Sequence, residues 1–357
     1  MASHADPYGV APPAKVLAVG DSFMPPHYFE TALAELGEGV EVECFQVDAD
    51  APFEPADESE QALREFQGDP AELAARMDGV RILVVHGAPV SERVIEAGAD
   101  LELVCCARGG PVNVDVGALN ARGLPLVNTP GKNADAVADL TLAFLIMLAR
   151  NVPLGQRFLE AGNRLEDNFA GAEFIGYDLR GHTLGLVGLG QVGARVADRA
   201  AAFGMRVLAH DPFVEDFGRA EPAASLEALL AASDFVSLHL RATAETANLI
   251  DAEALARMRD GAFLVNTARE SLVDEDALDA ALASGRLRGA ALDVFHDSGE
   301  PVRNRLLRHG NVVLLPHVGG ATEETLARGA EMVAAAIADF LAERPLRNVI
   351  NGAALAA

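Results

Sequence analysis

The sequence predicts an α/β protein built from two doubly wound parallel-sheet domains. Three observations carry that reading. Short apolar runs alternate with Ala/Leu-rich helical stretches, the βαβ rhythm that places helices on both faces of a parallel sheet. The rhythm comes in two series, separated by a long apolar helical stretch and a polar, glycine-dotted connector. The 357 residues suffice for two domains at roughly 100–200 residues each.

The first series has strand-like runs at 16–20, 40–45, 81–86, 101–106 and 126–128. Helix-like segments at 29–36, 70–77, 91–97 and 114–121 lie between them. Residues 40–78 are strongly acidic, with only Arg64 and Arg76 as basic side chains, and read as a solvated face and loop. Residues 133–151 form a helix apolar almost all round, expected to be buried between domains or in a subunit interface. A connector at 153–180 leads to the second series, with strands at 183–188, 206–211, 235–240, 263–266, 289–294 and 312–315. A last helix covers 322–343. No fixed-period repeat and no low-complexity segment interrupts this plan.

Composition narrows the function classes. Half of the residues are apolar and 23% are charged, so the chain can bury a large core. The 28 basic and 53 acidic side chains leave a formal net charge of -25. Such a surface repels nucleic acid and anionic lipid, so neither is an expected partner. Lys15 and Lys132 are the only lysines; every other basic residue is arginine. A salt-adapted host or a GC-rich genome explains that skew equally well. Cys44, Cys105 and Cys106 make no disulfide framework and no metal cluster; the adjacent pair reads as small buried strand residues. Met1 to Pro13 lacks the basic flank and apolar run of a signal peptide. Apolar runs such as 140–149 fall short of the ~20 residues needed to cross a bilayer. A soluble, cytoplasmic protein is expected.

Gly188, Gly190 and Gly193 form a GxGxxG pattern after one strand-like run and at the start of a helical stretch. In that context it is the dinucleotide-binding signature. Gly188 suits the tight turn, Gly190 the approach of backbone N–H groups to a pyrophosphate, and Gly193 close helix–strand packing. The helix N-terminus adds partial positive charge. Asp211 lies 18 residues beyond Gly193 at the end of the next strand. There a carboxylate accepts hydrogen bonds from the adenosine ribose and repels a 2′-phosphate, which favours NAD over NADP.

Arg269, Glu300 and His317 sit at or just beyond strand ends of the same series, where an open α/β sheet borders its binding crevice. Their chemistry fits hydride transfer at a hydroxyl carbon. Histidine exchanges a proton near neutrality. A carboxylate orients it and stabilises its cation. Arginine offers a planar fork to a substrate carboxylate.

With these motifs the chain resembles the D-isomer-specific 2-hydroxyacid dehydrogenase family. The matching text comprises residues 128–131 (AsnThrProGly), 186–193, 266–269 (AsnThrAlaArg), 273–278, 290–295 and 316–322 (ProHisValGlyGlyAlaThr). The resemblance implies a Rossmann NAD domain, 128–320, inserted into a flavodoxin-like substrate domain, 1–127 plus 321–357. It implies that Arg269 binds the substrate carboxylate and carbonyl, that His317 is the acid/base and that Glu300 is its partner. It places Asp293 at the nicotinamide carboxamide, and Gln191, Val192, Leu240, Thr267, Ala268, Gly319 and Gly320 around the cofactor. Gly87 and Ala88, with Arg108, Gly109 and Gly110, are the implied substrate loops. The implied activity is NAD-dependent interconversion of a small D-2-hydroxy acid and its 2-keto acid, in a homodimer.

Two departures stand out. His296-Asp297-Ser298-Gly299 separates Phe295 from Glu300, an apparent insertion that makes Asp297 the alternative partner of His317. The 108–115 loop, beginning Arg108-Gly109-Gly110-Pro111, differs from the usual glycine-rich loop. Arg108 there either meets a substrate anion or pairs with a local acid. An NAD(H)-sensing scaffold of the corepressor kind is the alternative function. Only about 40 residues follow His317, so no regulatory domain is expected after it.

Overall fold

A computed structural model describes residues 13–50, 55, 58–164, 171–296 and 305–355. The chain divides into two compact units, Met1–Lys132 with Thr322–Ala357, and Asn133–Ala321.

In the first unit the strands are β1 (Ala14–Gly20), β2 (Val40–Gln46), β3 (Ile82–Val85), β4 (Leu103–Cys106) and β5 (Leu126–Asn128). Its early helices are α1 (His27–Leu33), α2 (Glu58–Ala62), α3 (Pro70–Ala74), α4 (Glu92–Ala97) and α5 (Val116–Ala121). The strands form one parallel sheet in the order β2-β1-β3-β4-β5. Because helices cover both faces, strand residues alternate between two cores rather than between core and water. Leu17, Val19, Leu83, Val85 and Cys106 enter one core, and Val16, Ala18, Ile82, Val84 and Cys105 the other. Cys105 and Cys106 are thus buried free thiols on opposite faces of β4, as their sequence context suggested. The acidic β2 is the sheet edge and is only half-buried; Glu43 there lies 3.6 Å from Lys15 Nζ. Side-chain caps start α3 and α5: Asp69 accepts from Ala71 N–H ahead of Pro70, and Asp115 from Ala118 N–H.

The second unit contains α6 (Ala134–Ala149), α7 (Val152–Glu160), β6 (Thr183–Val187), α8 (Gln191–Ala202), β7 (Arg206–His210), β8 (Glu221–Pro222) and α9 (Leu226–Ala232). It continues with β9 (Phe235–Leu238), α10 (Ala252–Arg257), β10 (Ala262–Asn266), α11 (Glu275–Ala283), β11 (Leu287–Leu292) and β12 (Val312–Leu314). These seven strands are parallel, in the order β12-β11-β10-β9-β6-β7-β8. Here α6 places Ala138, Leu142, Phe144, Leu145 and Leu148 in this unit's own core, together with Leu184, Val196 and Phe263. Its apolar character therefore has a sufficient cause inside one unit. The connector expected at 153–180 instead opens as helix α7, with Pro153 in its first turn, a position where proline's missing N–H costs nothing.

The chain then returns to the first unit as α12 (Glu323–Leu341) and α13 (Gly352–Leu355). Thr322 caps α12 through the Thr325 N–H, and Val333 and Ile337 pack into the core on the Val16 face of the sheet. Among the described residues no single helix is long and apolar enough to cross a membrane.

Each sheet has one switch point, where the chain leaves a strand in one direction and later returns to its other side. It lies between β1 and β3 in the first unit and between β6 and β9 in the second. Such points open a crevice at the carboxyl ends of the strands.

Candidate active site

The glycine loop occupies the switch point of the second unit. Gly188 follows β6 with φ +93°, and a Cβ there would lie 2.5 Å from the His239 carbonyl oxygen and 3.1 Å from Leu240 N. Only glycine permits both that conformation and that approach. A Cβ at Gly193 would stand 2.4 Å from Gly188 O, so this glycine sets the spacing of α8 from the loop. At Gly190, the N-cap of α8, a Cβ would meet no protein atom within 4 Å. The fold itself does not demand glycine there, whereas a ligand approaching the backbone would. The first N–H groups of α8 have no partner within the helix, which suits a pyrophosphate.

Asp211 completes the loop. Its Oδ2 accepts from Leu189 N–H at 2.8 Å and its Oδ1 from Phe213 N–H at 3.0 Å. Each oxygen keeps acceptor capacity for a ribose hydroxyl. Leu240 and Val192 are half-buried beside this loop, and Gln191 Oε1 accepts from Arg195 at 2.9 Å. His239 was not legible as a site residue. Burial lowers its pKa to about 3, and its Nε2 lies 2.9 Å from Ser237 Oγ, so a neutral ring underlies the loop.

Hydrogen bonds staple three neighbouring strand ends of this sheet. Asp293 N–H donates to Asn266 O at 2.9 Å, joining the ends of β11 and β10. Leu315 N–H donates to Leu292 O at 2.9 Å, and His317 N–H to Asp293 O at 2.8 Å, joining β12 to β11. The Asn266 amide donates to Arg269 O at 2.8 Å and its Oδ1 accepts from Ala268 N–H at 3.0 Å. Thr267 Oγ1 lies 3.2 Å from Thr141 Oγ1 on α6. Arg269 and His317 are thereby presented, both exposed, on one sheet edge. Among the described residues Arg269 makes no ion pair; Nη1 donates only to Ala268 O, at 2.7 Å. His317 has φ +56°, a conformation unfavourable for a side chain with a Cβ.

The structure gives Asp293 more work than the resemblance implied. It is 2% exposed, and its Oδ1 and Oδ2 accept from Val318 N–H at 2.9 Å and Gly319 N–H at 2.7 Å. Burial pushes its carboxyl up, against these donors and His317. A Cβ at Gly319 would lie 2.7 Å from Asp293 Oδ2, and one at Gly320 3.0 Å from Asn133 Nδ2. Both oxygens thus hold the His317 loop. Glu300 and its alternative Asp297 lie outside the described residues.

In the first unit the switch point holds a histidine–aspartate hydrogen bond. His86 Nδ1 and Asp21 Oδ2 are 2.8 Å apart, linking the ends of β3 and β1. Burial pushes the His86 imidazole down despite Asp21. Burial raises the Asp21 carboxyl, but His86 and the Met24 and Gly87 N–H donors outweigh it and leave it lowered. Gly87 was expected to offer its N–H to substrate; here it donates to Asp21 at 2.7 Å. Ala88 is buried, and its carbonyl accepts from Asn113 at 2.7 Å. Arg108 takes the second of its two expected settings, binding the Glu65 carboxylate and, at 2.7 Å, the Glu65 carbonyl. Gly109 and Gly110 are exposed, with Gly109 O accepting from Asn128 at 2.7 Å. Sequence reasoning passed over Lys132, which is buried at 7% exposure with no partner for Nζ among the described residues. Its signal was a lysine kept in an arginine-dominated chain.

Residues 142–319 match the model of the D-isomer specific 2-hydroxyacid dehydrogenase, NAD binding domain. The chain is 41% identical over 266 residues to a glyoxylate reductase of Korarchaeum cryptofilum, covering 74% of this chain and 80% of that one. It is 38% identical over 275 residues to a D-3-phosphoglycerate dehydrogenase of Synechocystis sp., covering 76% of this chain and 48% of that protein. The chain therefore spans about half the length of that relative. The crystal structure of the TT0316 protein from Thermus thermophilus superposes with a TM-score of 0.74 and 36% identity, over 94% of this chain and 99% of that one. With the glycine loop at its switch point, the stapled strand ends and these likenesses together, the chain belongs to the D-isomer-specific 2-hydroxyacid dehydrogenase family.

Proposed function

We propose that this chain is an NAD-dependent dehydrogenase that interconverts a small D-2-hydroxy acid and its 2-keto acid. Glyoxylate, hydroxypyruvate and phosphoglycerate-like acids are the substrate class. The observation that carries this reading is the hydrogen-bonded staple from Asn266 through Asp293 to His317. It presents a conformationally strained histidine, and an arginine with no ion pair among the described residues, on the sheet edge that also carries the glycine loop.

Gly188, Gly190, Gly193 and the N-terminus of α8 would hold the pyrophosphate of NAD, with Asp211 on the ribose. When bound, NAD supplies or accepts the hydride. Arg269 pairs with the substrate carboxylate and polarises the neighbouring carbonyl. His317 gives a proton to the carbonyl oxygen in reduction and removes it in oxidation. Glu300 is the proposed partner of the imidazolium.

Loss of NADH absorbance with glyoxylate, hydroxypyruvate, pyruvate and phosphohydroxypyruvate tests this function. Turnover of at least one is expected; turnover of none overturns it. A homodimer in a reducing, cytoplasmic setting belongs to the same proposal. Ile146, Val152 and Leu159 on α6 and α7 are 37%, 41% and 66% exposed, apolar side chains that a second copy would cover. Light scattering at the monomer mass would remove the dimer.

A further inference from the structure

The carboxyl end of β10 carries a hydroxyl whose polarity the fold decides. Thr267 is the first residue beyond this strand and is half-buried. Among the described residues its hydroxyl has one hydrogen-bond partner, Thr141 Oγ1 on α6, at 3.2 Å. Thr141 is 0% exposed, and its own hydroxyl lies 2.8 Å from the Val137 carbonyl, one turn back along the helix. Both threonines belong to the second unit, so the pair depends on nothing outside it.

The proton positions follow from these two contacts. A hydroxyl has one hydrogen to donate and two lone pairs with which to accept. A main-chain carbonyl only accepts, and a threonine inside a helix donates to the carbonyl four residues back. The Val137 contact is also the shorter one, so the Thr141 hydrogen lies there. Thr141 Oγ1 then faces Thr267 with lone pairs alone, and the Thr267 hydrogen points at it. Thr267 Oγ1 keeps only its own lone pairs for the crevice. The turn that bears it is fixed by the Asn266 side chain, which donates to Arg269 O at 2.8 Å and accepts from Ala268 N–H at 3.0 Å. The relay from Val137 through Thr141 thus turns an ambivalent hydroxyl into an acceptor.

Sheet order says what meets this acceptor. Asp211, at the end of β7, takes the adenosine ribose in the reading above, and the glycine loop after β6 takes the pyrophosphate. Strands β9 and β10 lie on the other side of β6 from β7. A dinucleotide that crosses the switch point lays its two halves on opposite sides of it, so the nicotinamide nucleoside falls toward β10. That half offers two kinds of donor, the carboxamide NH2 and the ribose hydroxyls. We propose that Thr267 Oγ1 accepts a hydrogen bond from the nicotinamide nucleoside, and that Thr141 is the positioning residue that holds this hydroxyl in the accepting sense. This rests on the dehydrogenase reading and adds to it a buried residue that acts through another.

The test measures binding by calorimetry for NADH and for reduced 3-acetylpyridine adenine dinucleotide, in which a methyl group replaces the amide nitrogen. The proteins are wild type, Thr141→Val, Thr141→Ser, Thr267→Val and the double variant Thr141→Val with Thr267→Val. Thr141→Val keeps the branched shape and removes the hydroxyl, so the Thr267 hydrogen loses its acceptor and competes with the donor on the ligand. NADH affinity should fall about tenfold, the scale of one misdirected hydrogen bond, and Thr141→Ser should restore it. In the Thr267→Val background Thr141→Val should cost nothing further, because the two act through one contact. A loss confined to NADH assigns the carboxamide, and an equal loss with both dinucleotides assigns a ribose hydroxyl. Unchanged NADH affinity in Thr141→Val, no recovery with serine, or a further loss in the double variant overturns the proposal. A wild type that binds NADH but reduces no keto acid removes the dehydrogenase reading, and the binding cycle still decides Thr141. A wild type that binds no NADH overturns both.

Discussion

The backbone N–H of His317 donates to the main-chain carbonyl of Asp293 at 2.8 Å, and the Asp293 carboxylate accepts from the next two residues, Val318 and Gly319. One buried aspartate thus sets the path of the loop that carries the proposed acid/base. Asp293→Ala should lower kcat by about 100-fold, the scale of a small misplacement of reacting groups. NADH affinity, measured by fluorescence titration, should move only a few-fold. A large loss of NADH binding with kcat preserved would return Asp293 to the cofactor-contact role that the resemblance implied.

His317 is held at φ +56°, and relieving such strain is worth about 1 kcal/mol. His317→Gly should therefore raise thermal stability while lowering turnover by roughly 10²–10⁴-fold, the usual scale of acid–base catalysis. NADH binding should survive. A variant that is both destabilised and active would contradict the assignment of strain and of catalysis together.

Asp211 lies beside Leu189 at the glycine loop, where its charge opposes a 2′-phosphate. Asp211→Ala is expected to shift kcat/KM toward NADPH by about tenfold relative to NADH, the size of one modest electrostatic contact. Parallel assays with the two cofactors check this. A wild-type preference for NADPH would remove the role.

Burial lowers the Lys132 pKa from 10.5 to about 8. Between about 8 and 10.5 the unfolded chain binds the proton and the folded chain does not, so stability from this group rises with pH across that window. Below about pH 8 the folded state bears the full cost, about 3 kcal/mol at roughly 1.36 kcal/mol per pKa unit. Lys132→Met keeps the stem and removes the charge. At pH 7 it should be more stable than wild type, and the advantage should shrink above pH 8. Urea unfolding at pH 7 and pH 9.5 measures both. Equal stability at the two pH values would show that the ammonium is not held at a cost.

The parallel sheets were legible because each rests on local repetition. Apolar runs such as Ile82–Val85 and Phe235–Leu238 suit strands covered on both faces. Gly188, Gly190 and Gly193 were legible because turn, ligand approach and helix packing each need a missing side chain at a fixed spacing. Asp211, Arg269 and His317 were legible because they stand at strand ends, where position along the chain already implies position on the carboxyl edge.

Other features depended on contacts between residues far apart in sequence. Glu65 meets Arg108 across 43 residues, Asp21 meets Gly87 across 66, and Arg328 fastens Lys132 across 196. No local pattern encodes which carboxylate neutralises which cation. From sequence alone Arg108 looked as available as Lys132 was unremarkable. Hydrophobic periodicity and backbone geometry are short-range, so the chain alone determined the strands, the glycine loop and which side chains stand at the strand ends. Pairing and desolvation are long-range. Only the tertiary structure decided that Asp293 carries the His317 loop, that Arg108 is already occupied, and that Lys132 is a buried cation whose Nζ has no hydrogen-bond partner among the described residues.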